Sequence, residues 1–361
     1  MGILFRNFFH FFNKINLFKS TIIRIFEKTL FMKNIISFIF IALLLISCDS
    51  SKEKKEKATN EADKIDLQVP RFNEAKAYEF VEKQVKSGPR VPNTPAHAET
   101  EQYIISQLQS FGAQVRTQKF TADTYDGEVW NLTNIIASIQ PEKKKRILLA
   151  AHWDTRKIAD KDTERRDEPI DGANDGASGV GVILEVINAI QKAGNKPNVG
   201  IDVIFFDGED NGEPQGLSGR NPSKTWWCLG SQHWSKNKHV PGYSAYYGIL
   251  LDMVGGVGAQ FHKEGYSMKY APSIVEKVWN TADKIGHGRY FINNQVASIT
   301  DDHYFVNEFG KIPMIDILAH EPTAKDFFPD FHHTHKDNMD IISQETLKAV
   351  GQTLLQVIYE E

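Results

Sequence analysis

Continuous apolar runs that stop abruptly at acids or imidazoles constrain this chain more than any other feature. Arg146–Ala151, Gly200–Phe206 and Tyr247–Leu251 are short and almost uniformly apolar. Runs of that kind are strands buried on both faces, as in sheets covered by helices. Ile312–Leu318 reads as a further core strand. Four buried strands are expected to run into polar groups. The first leads to His152-Trp153-Asp154. The second leads, after a loop, to Asp171-Gly172-Ala173-Asn174-Asp175 at the mouth of a helix. The third leads to Asp207-Gly208-Glu209-Asp210, and the fourth to Asp252.

The intervening segments carry helical periodicity. Phe72–Ser87 and Thr94–Phe111 read as helices, the second with Tyr103, Ile104, Leu108 and Phe111 on one face. Gly179–Ala193, Ala271–Ile285 and Gln344–Tyr359 read as three more, and Gln114–Phe120 and Leu132–Ser138 as alternating strands. Strands interleaved with helices predict an α/β fold: a three-layer sandwich with a mixed, mostly parallel central sheet flanked by helices. In such sheets a site lies beyond the carboxyl ends of the strands, where these polar clusters fall.

The N-terminal part reads as an address rather than as fold. Met32-Lys33-Asn34 precedes the apolar run Ile35–Ser47, which ends Leu45-Ile46-Ser47-Cys48. A basic start, a short apolar stretch and small residues before a cut site make a secretory signal. The run is shorter than the roughly 20 residues a spanning helix needs. Leu45-Ile46-Ser47-Cys48 resembles the lipobox of bacterial lipoproteins, which implies that residues 32–48 are a lipoprotein signal with Cys48 as the lipidated residue; the alternative is an uncleaved anchor helix. The protein is expected to be exported, lipid-anchored to a bacterial membrane and facing the periplasm. Residues 1–31 read as an upstream extension or a mis-assigned start. Residues 49–66, rich in Lys and Glu, read as a flexible tether, and residues 67–361 as a single catalytic domain.

Charge and cysteine usage narrow the function. Residues 1–47 carry Arg6, Lys14, Lys19, Arg24, Lys28 and Lys33 against Glu27 alone, so the body is more acidic than the overall formal charge of −4. An acidic body argues against nucleic acid as a partner, because phosphate binding needs clustered Lys and Arg. Two cysteines, Cys48 and Cys228, give no disulfide framework. Cys228 is expected to be a half-buried small hydrophobe between Trp227 and Leu229.

Asp301-Asp302-His303 and His332-His333-Thr334-His335 add to the strand-end clusters. Any one of these acids could be a turn or helix cap. Several carboxylates converging on one sheet edge would repel one another and call for a cation. Oxygen and imidazole ligands in a mixed set suit zinc.

The order His-x-Asp, Asn-Asp-Gly-Ala-Ser-Gly, Gly-Glu-Asp, Leu-Asp-Met, Asp-His and a late His resembles the zinc aminopeptidase family that also contains the glutaminyl cyclases. Gly88–His97 is similar to that family's N-terminal stretch, and the resemblance covers about residues 75–360. It implies a mixed sheet between helices and a zinc-dependent activity. For a two-zinc aminopeptidase it implies His152, Asp175, Asp210, Asp252 and His333 as ligands. For a cyclase it implies one zinc on Asp175, Asp210 and His333.

The segments around Phe206–Asp210, Leu251–Gly255, Gly230-Ser231, Asp301-Asp302-His303 and Phe328–His333 are closer to the cyclases. Departures are Asp210, where animal cyclases have Glu, His332 in place of a Trp, and Asp316 in place of a pocket His. The resemblance implies a zinc-dependent acyltransferase, a glutaminyl-peptide cyclotransferase. It would convert the N-terminal glutamine of peptides and exported proteins to pyroglutamate and release ammonia. Glu209 would be the proton shuttle, and Asp252 and Asp301 would hydrogen-bond each other and the substrate. Phe328, Trp227, Asp316 and His332 would bind substrate, although Trp226 and Trp227 are not distinguished. The rival readings are the two-zinc aminopeptidase, and a non-catalytic binding module of the same fold, which would be expected to lose ligands that this chain has kept.

Overall fold

The computed structural model describes residues 68–214, 225–324 and 327–361, which belong to the unit Ile65–Glu361. The signal, lipobox and tether segments, with Cys48, lie outside the described residues.

Six strands form the central sheet: β1 (Gln114–Asp123), β2 (Val129–Ile139), β3 (Arg146–His152), β4 (Gly200–Phe206), β5 (Tyr247–Asp252) and β8 (Met314–Leu318). Their spatial order is β1-β2-β4-β3-β5-β8. β1, β2 and β4 pair antiparallel, whereas β4, β3, β5 and β8 are parallel neighbours. The sheet is mixed, with its parallel part running from β4 to the β8 edge. A small parallel pair, β6 (Phe261–Lys263) and β7 (Phe291–Gln295), lies outside it.

Side chains alternate between two cores because a strand repeats every two residues. Ile147, Leu149 and Ala151 of β3, with Ile201, Val203 and Phe205 of β4, join the larger core. That core is closed by α1 (Glu74–Lys86), α3 (Ala177–Lys192), α6 (Pro272–Lys284) and α8 (Gln344–Tyr359). Leu148, Ala150, Ile204 and Phe206 point to the opposite core, where Trp234 of α4 (Leu229–Lys236) and Val306 of α7 (Asp302–Glu308) pack. Helix α2 (Pro95–Ser110) buries Ile104 and Leu108 and half-buries Tyr103, with Phe111 packed just beyond its end. α5 (Gly265–Tyr270) sits behind β8, where Ser267 Oγ bonds the Asp316 backbone.

The parallel strands end together. His152 lies opposite Phe206, and Asp252 opposite Leu318. One expected cluster follows no strand: Asp171–Asp175 lies on the loop between β3 and α3. It reaches the same edge because α3 presses against β5. A Cβ on Gly179 would come within 2.4 Å of the Leu251 carbonyl, so only glycine lets the helix approach so closely. That contact places Asp175, just ahead of α3, beside Asp252.

Candidate active site

Local scaffolding holds each loop at the sheet edge. Asp154 accepts from the backbone N of Glu209 (3.0 Å) and of Asp210 (3.2 Å), and from the Asn211 side chain. Asp337 accepts from Asn174 N and Asp175 N. The buried Arg90 guanidinium donates to the carbonyls of Trp153, Asp171 and Gly172. Several linking residues adopt left-handed backbone: Gly176 after Asp175, Gly208 before Glu209, Met253 after Asp252, Cys228, and His333 itself at φ 59°. Backbone in that region costs energy and clusters where geometry serves function.

The five expected metal-site residues meet. His333 Nε2 lies 2.9 Å from Asp210 Oδ1 and 3.9 Å from Asp175 Oδ2. His152 Nε2 is 2.9 Å from Asp175 Oδ1 and 3.3 Å from Asp252 Oδ1. His332 Nε2 stands 3.9 Å from Asp175 Oδ2, so it joins this cluster as well as lining the cavity. Burial raises the Asp210 carboxyl, and the Asp175 charge adds to it. Burial also pushes Asp252 up to about 7, with Asp175 adding and the His152 contact opposing. Burial would raise Asp175 too, but His152 holds it low. Asp210 Oδ2 is buried without a hydrogen-bond donor. Oxygen and nitrogen donors converging with an orphaned carboxylate oxygen fit a zinc ion.

Sequence reading missed two residues here. His333 Nδ1 lies 3.3 Å from Asp160 Oδ1, and Arg156 Nε donates to the same oxygen at 2.7 Å. Burial would raise Asp160, but His333 and Arg156 hold it well below the usual carboxylate range. A carboxylate on the far nitrogen of a ligand imidazole fixes its tautomer and direction. No motif marks Asp160, and only its position in space reveals it.

A cavity of about 1260 Å³ opens over this cluster. Glu209, Asp252 and Asp301 line it, together with Trp227, Phe328 and His332. Trp227 is the tryptophan that enters, its ring parallel to that of His333 at 5.8 Å. The Arg156 guanidinium lies 4.7 Å from the Trp227 ring centre. Phe328 packs on His332 at 4.2 Å. Burial lifts Glu209 well above its ordinary value, and Asp301, Asp210 and Asp302 add to that against His152.

Three expectations need correction. Asp252 contacts His152, while Asp301 accepts from Asp302 N and meets Asp316, so Asp252 and Asp301 are not each other's hydrogen-bond partners. Asp316 is wholly buried and lies outside the cavity lining, since its β8 position pairs with Leu250, below the sheet edge. Cys228 is fully rather than half buried, and its thiol donates to Glu209 Oε1 at 3.1 Å. The left-handed turn at Gly208 and the bare Gly230 in the first turn of α4 bring the two segments together: a Cβ on Gly230 would meet Asp207 N at 2.6 Å.

Residues 134–358 match the model of peptidase family M28. The crystal structure of Bacteroides thetaiotaomicron glutaminyl cyclase bound to N-acetylhistamine is 50% identical, with a TM-score of 0.77, over 81% of this chain and 99% of that one. A Zn-dependent exopeptidase from Parabacteroides distasonis is 49% identical, with a TM-score of 0.78, over 81% of this chain and all of that one. The glutaminyl-peptide cyclotransferase of Dictyostelium discoideum is 25% identical over 365 residues, covering 87% of this chain and 94% of that protein.

Proposed function

Because this chain belongs to peptidase family M28 and is half identical to a bacterial glutaminyl cyclase along almost all of that enzyme, we propose that it is a zinc-dependent glutaminyl-peptide cyclotransferase acting on N-terminal glutamine. The observation that carries this reading is the second acid beside the proton shuttle. Glu209 and Asp301 face the same cavity, with side-chain atoms within 4.8 Å of each other and of Cys228. Hydrolysis gives that extra acid no evident task, whereas cyclisation must hold an ammonium group against its own side chain.

Asp175, Asp210 and His333 would hold one zinc ion, with Asp160 orienting His333. The ion, when bound, supplies Lewis-acid polarisation of the glutamine side-chain amide and stabilises charge on its oxygen. Asp252 and Asp301 receive the substrate's α-ammonium group. The ammonium gives up one proton to solvent, and as its nitrogen bonds to the side-chain amide carbon Glu209 takes a second proton from it. The same carboxyl returns the proton to the departing amino group, and the carbon–nitrogen bond breaks as ammonia leaves. A buried carboxylate among other acids is a stronger base than a free one. The nucleophile is internal, so no water need be activated. Trp227, Phe328 and His332 wall the glutamine side chain. The fully buried Asp316 is withdrawn from direct substrate binding.

This reading extends to an exported protein anchored through a lipid on Cys48 and facing the periplasm. The support is the Leu45–Cys48 sequence, and removal of signals there exposes new N-terminal glutamines.

Ammonia release from a Gln-initiated peptide, measured beside an aminopeptidase assay, tests the activity. Glu209→Gln is expected to keep zinc and fold and to lose roughly 10²–10⁴-fold in turnover, the usual range for general acid–base catalysis. Asp301→Asn is expected to lose cyclisation severely at unchanged metal content. Full activity in Asp301→Asn, or hydrolysis without pyroglutamate in the wild type, would sink the assignment. Two zinc ions per chain, one of them on His152, would instead favour the aminopeptidase.

A further inference from the structure

Behind the cavity wall lies a group of ionisable side chains that this scheme leaves unused. Asp316 on β8 and Asp302 at the start of α7 are both completely buried. Neither oxygen of Asp316 has a hydrogen-bond donor among the described residues, nor does Asp301 Oδ2. The Asp316 and Asp301 carboxyl groups instead meet each other, and each lies with His303 in one cluster whose ligand atoms are within 4.8 Å. Two ionised carboxylates in such contact repel, whereas one proton between them turns the contact into a charge-assisted hydrogen bond.

The surroundings of the two carboxyl groups differ. Asp301 opens on the cavity, facing Glu209 and Cys228. Asp316 faces no solvent, and the charges around it are those of Asp301, Asp252 on β5 and Glu264 ahead of α5. Burial and those three acids all push the Asp316 carboxyl upward. Its other neighbour is His303 of α7, whose Nδ1 stands 3.6 Å from Asp316 Oδ2. His303 Nε2 is 3.0 Å from Glu264 Oε2. Glu264 is fixed in turn by the backbone N of Tyr266, Ser267 and Ile299. Ser267 Oγ donates to Glu264 and accepts from Asp316 N.

We propose that Asp316 is a positioning residue: it carries the proton shared with Asp301 and donates it in a hydrogen bond that holds the Asp301 carboxylate at the cavity wall. The His303–Glu264 pair keeps Asp316 in register behind it. This inference rests on the cyclase reading only for the task given to Asp301.

The test uses the full, zinc-loaded enzyme with Asp316→Asn and Asp316→Ala. Asparagine donates to Asp301 as a protonated Asp316 would, and alanine cannot. Ammonia release by Asp316→Asn is expected within about threefold of wild type. Asp316→Ala is expected to fall roughly 10- to 100-fold, the cost of a lost hydrogen bond to a charged group. In the infrared, the wild type at neutral pH is expected to show a protonated-carboxyl stretch that disappears in Asp316→Asn. This reading requires no activity, so it separates a failure of the inference from a failure of the cyclase assignment. Equal losses in both variants would mean that Asp316 acts as a charge, and no loss in either would mean that it does not act. Both results overturn the proposal. So does an extra metal equivalent that vanishes in Asp316→Asn, since a cation would then occupy the place given to the proton.

Discussion

Asp160 shows what a single residue adds once the chain is folded. The ligand positions were legible because each follows an apolar run or opens a helix, and their order along the chain is distinctive. Asp160 has no such marker, and its contact with His333 spans a loop and most of the domain. The same limit explains why Asp301 was paired with Asp252. Sequence order brings both to the sheet edge, but only the folded chain places Asp316 beside Asp301. If Asp160 orients the imidazole, Asp160→Ala should weaken zinc binding by roughly 10- to 100-fold, the usual effect of removing such a partner. Competition with a calibrated chelator measures it. Unchanged affinity would leave Asp160 as an ion-pair partner of Arg156 alone.

Among the elements, the core strands and long helices were readable because burial on both faces leaves few polar positions in a strand, and helical periodicity is regular over three turns or more. α4 was not foreseen: Leu229–Lys236 is short, mostly polar and begins at a left-handed Cys228. α5, α7 and the β6–β7 pair were missed because their lengths carry too little periodicity. Glu264 ties several of these short elements together. Burial would raise its carboxyl, but His303 and the backbone donors pull it down to about 2 from an ordinary 4.5. A depressed folded-state value adds stability above the unfolded value, and that stability is lost as pH falls from about 4.5 towards 2. The contribution is on the order of 3 kcal/mol. Glu264→Gln should therefore lower stability near neutral pH and flatten its decline over that acid window, as followed by denaturant unfolding at several pH values. A parallel decline in both proteins would remove Glu264 as its source.

For the whole molecule, the layered architecture and its carboxyl-end site followed from the alternation of strand and helix. The mixed strand directions followed less directly, because β2 is mostly buried like the central strands and only β1 stands apart by its exposure. No helix among the described residues is long and apolar enough to cross a membrane. The proposed anchoring is through a lipid on Cys48, and Cys48→Ser should move the protein from the membrane fraction to the soluble one with the loss of the lipid mass. Retention of the variant on membranes at unchanged mass would exclude the lipobox.

The cavity has a consequence for when such an enzyme could work. The metal-site carboxylates at its floor are deeply recessed, with Asp210 1% and Asp175 3% exposed, and the space above them is far larger than one side chain. A chain end must therefore thread in before its first residue meets Glu209. A terminus already stitched into a strand or helix has no slack to offer. The proposed modification is then a race against the substrate's own folding. Exported chains whose first residues stay loose would be capped, and those whose N-termini dock early would keep a free glutamine.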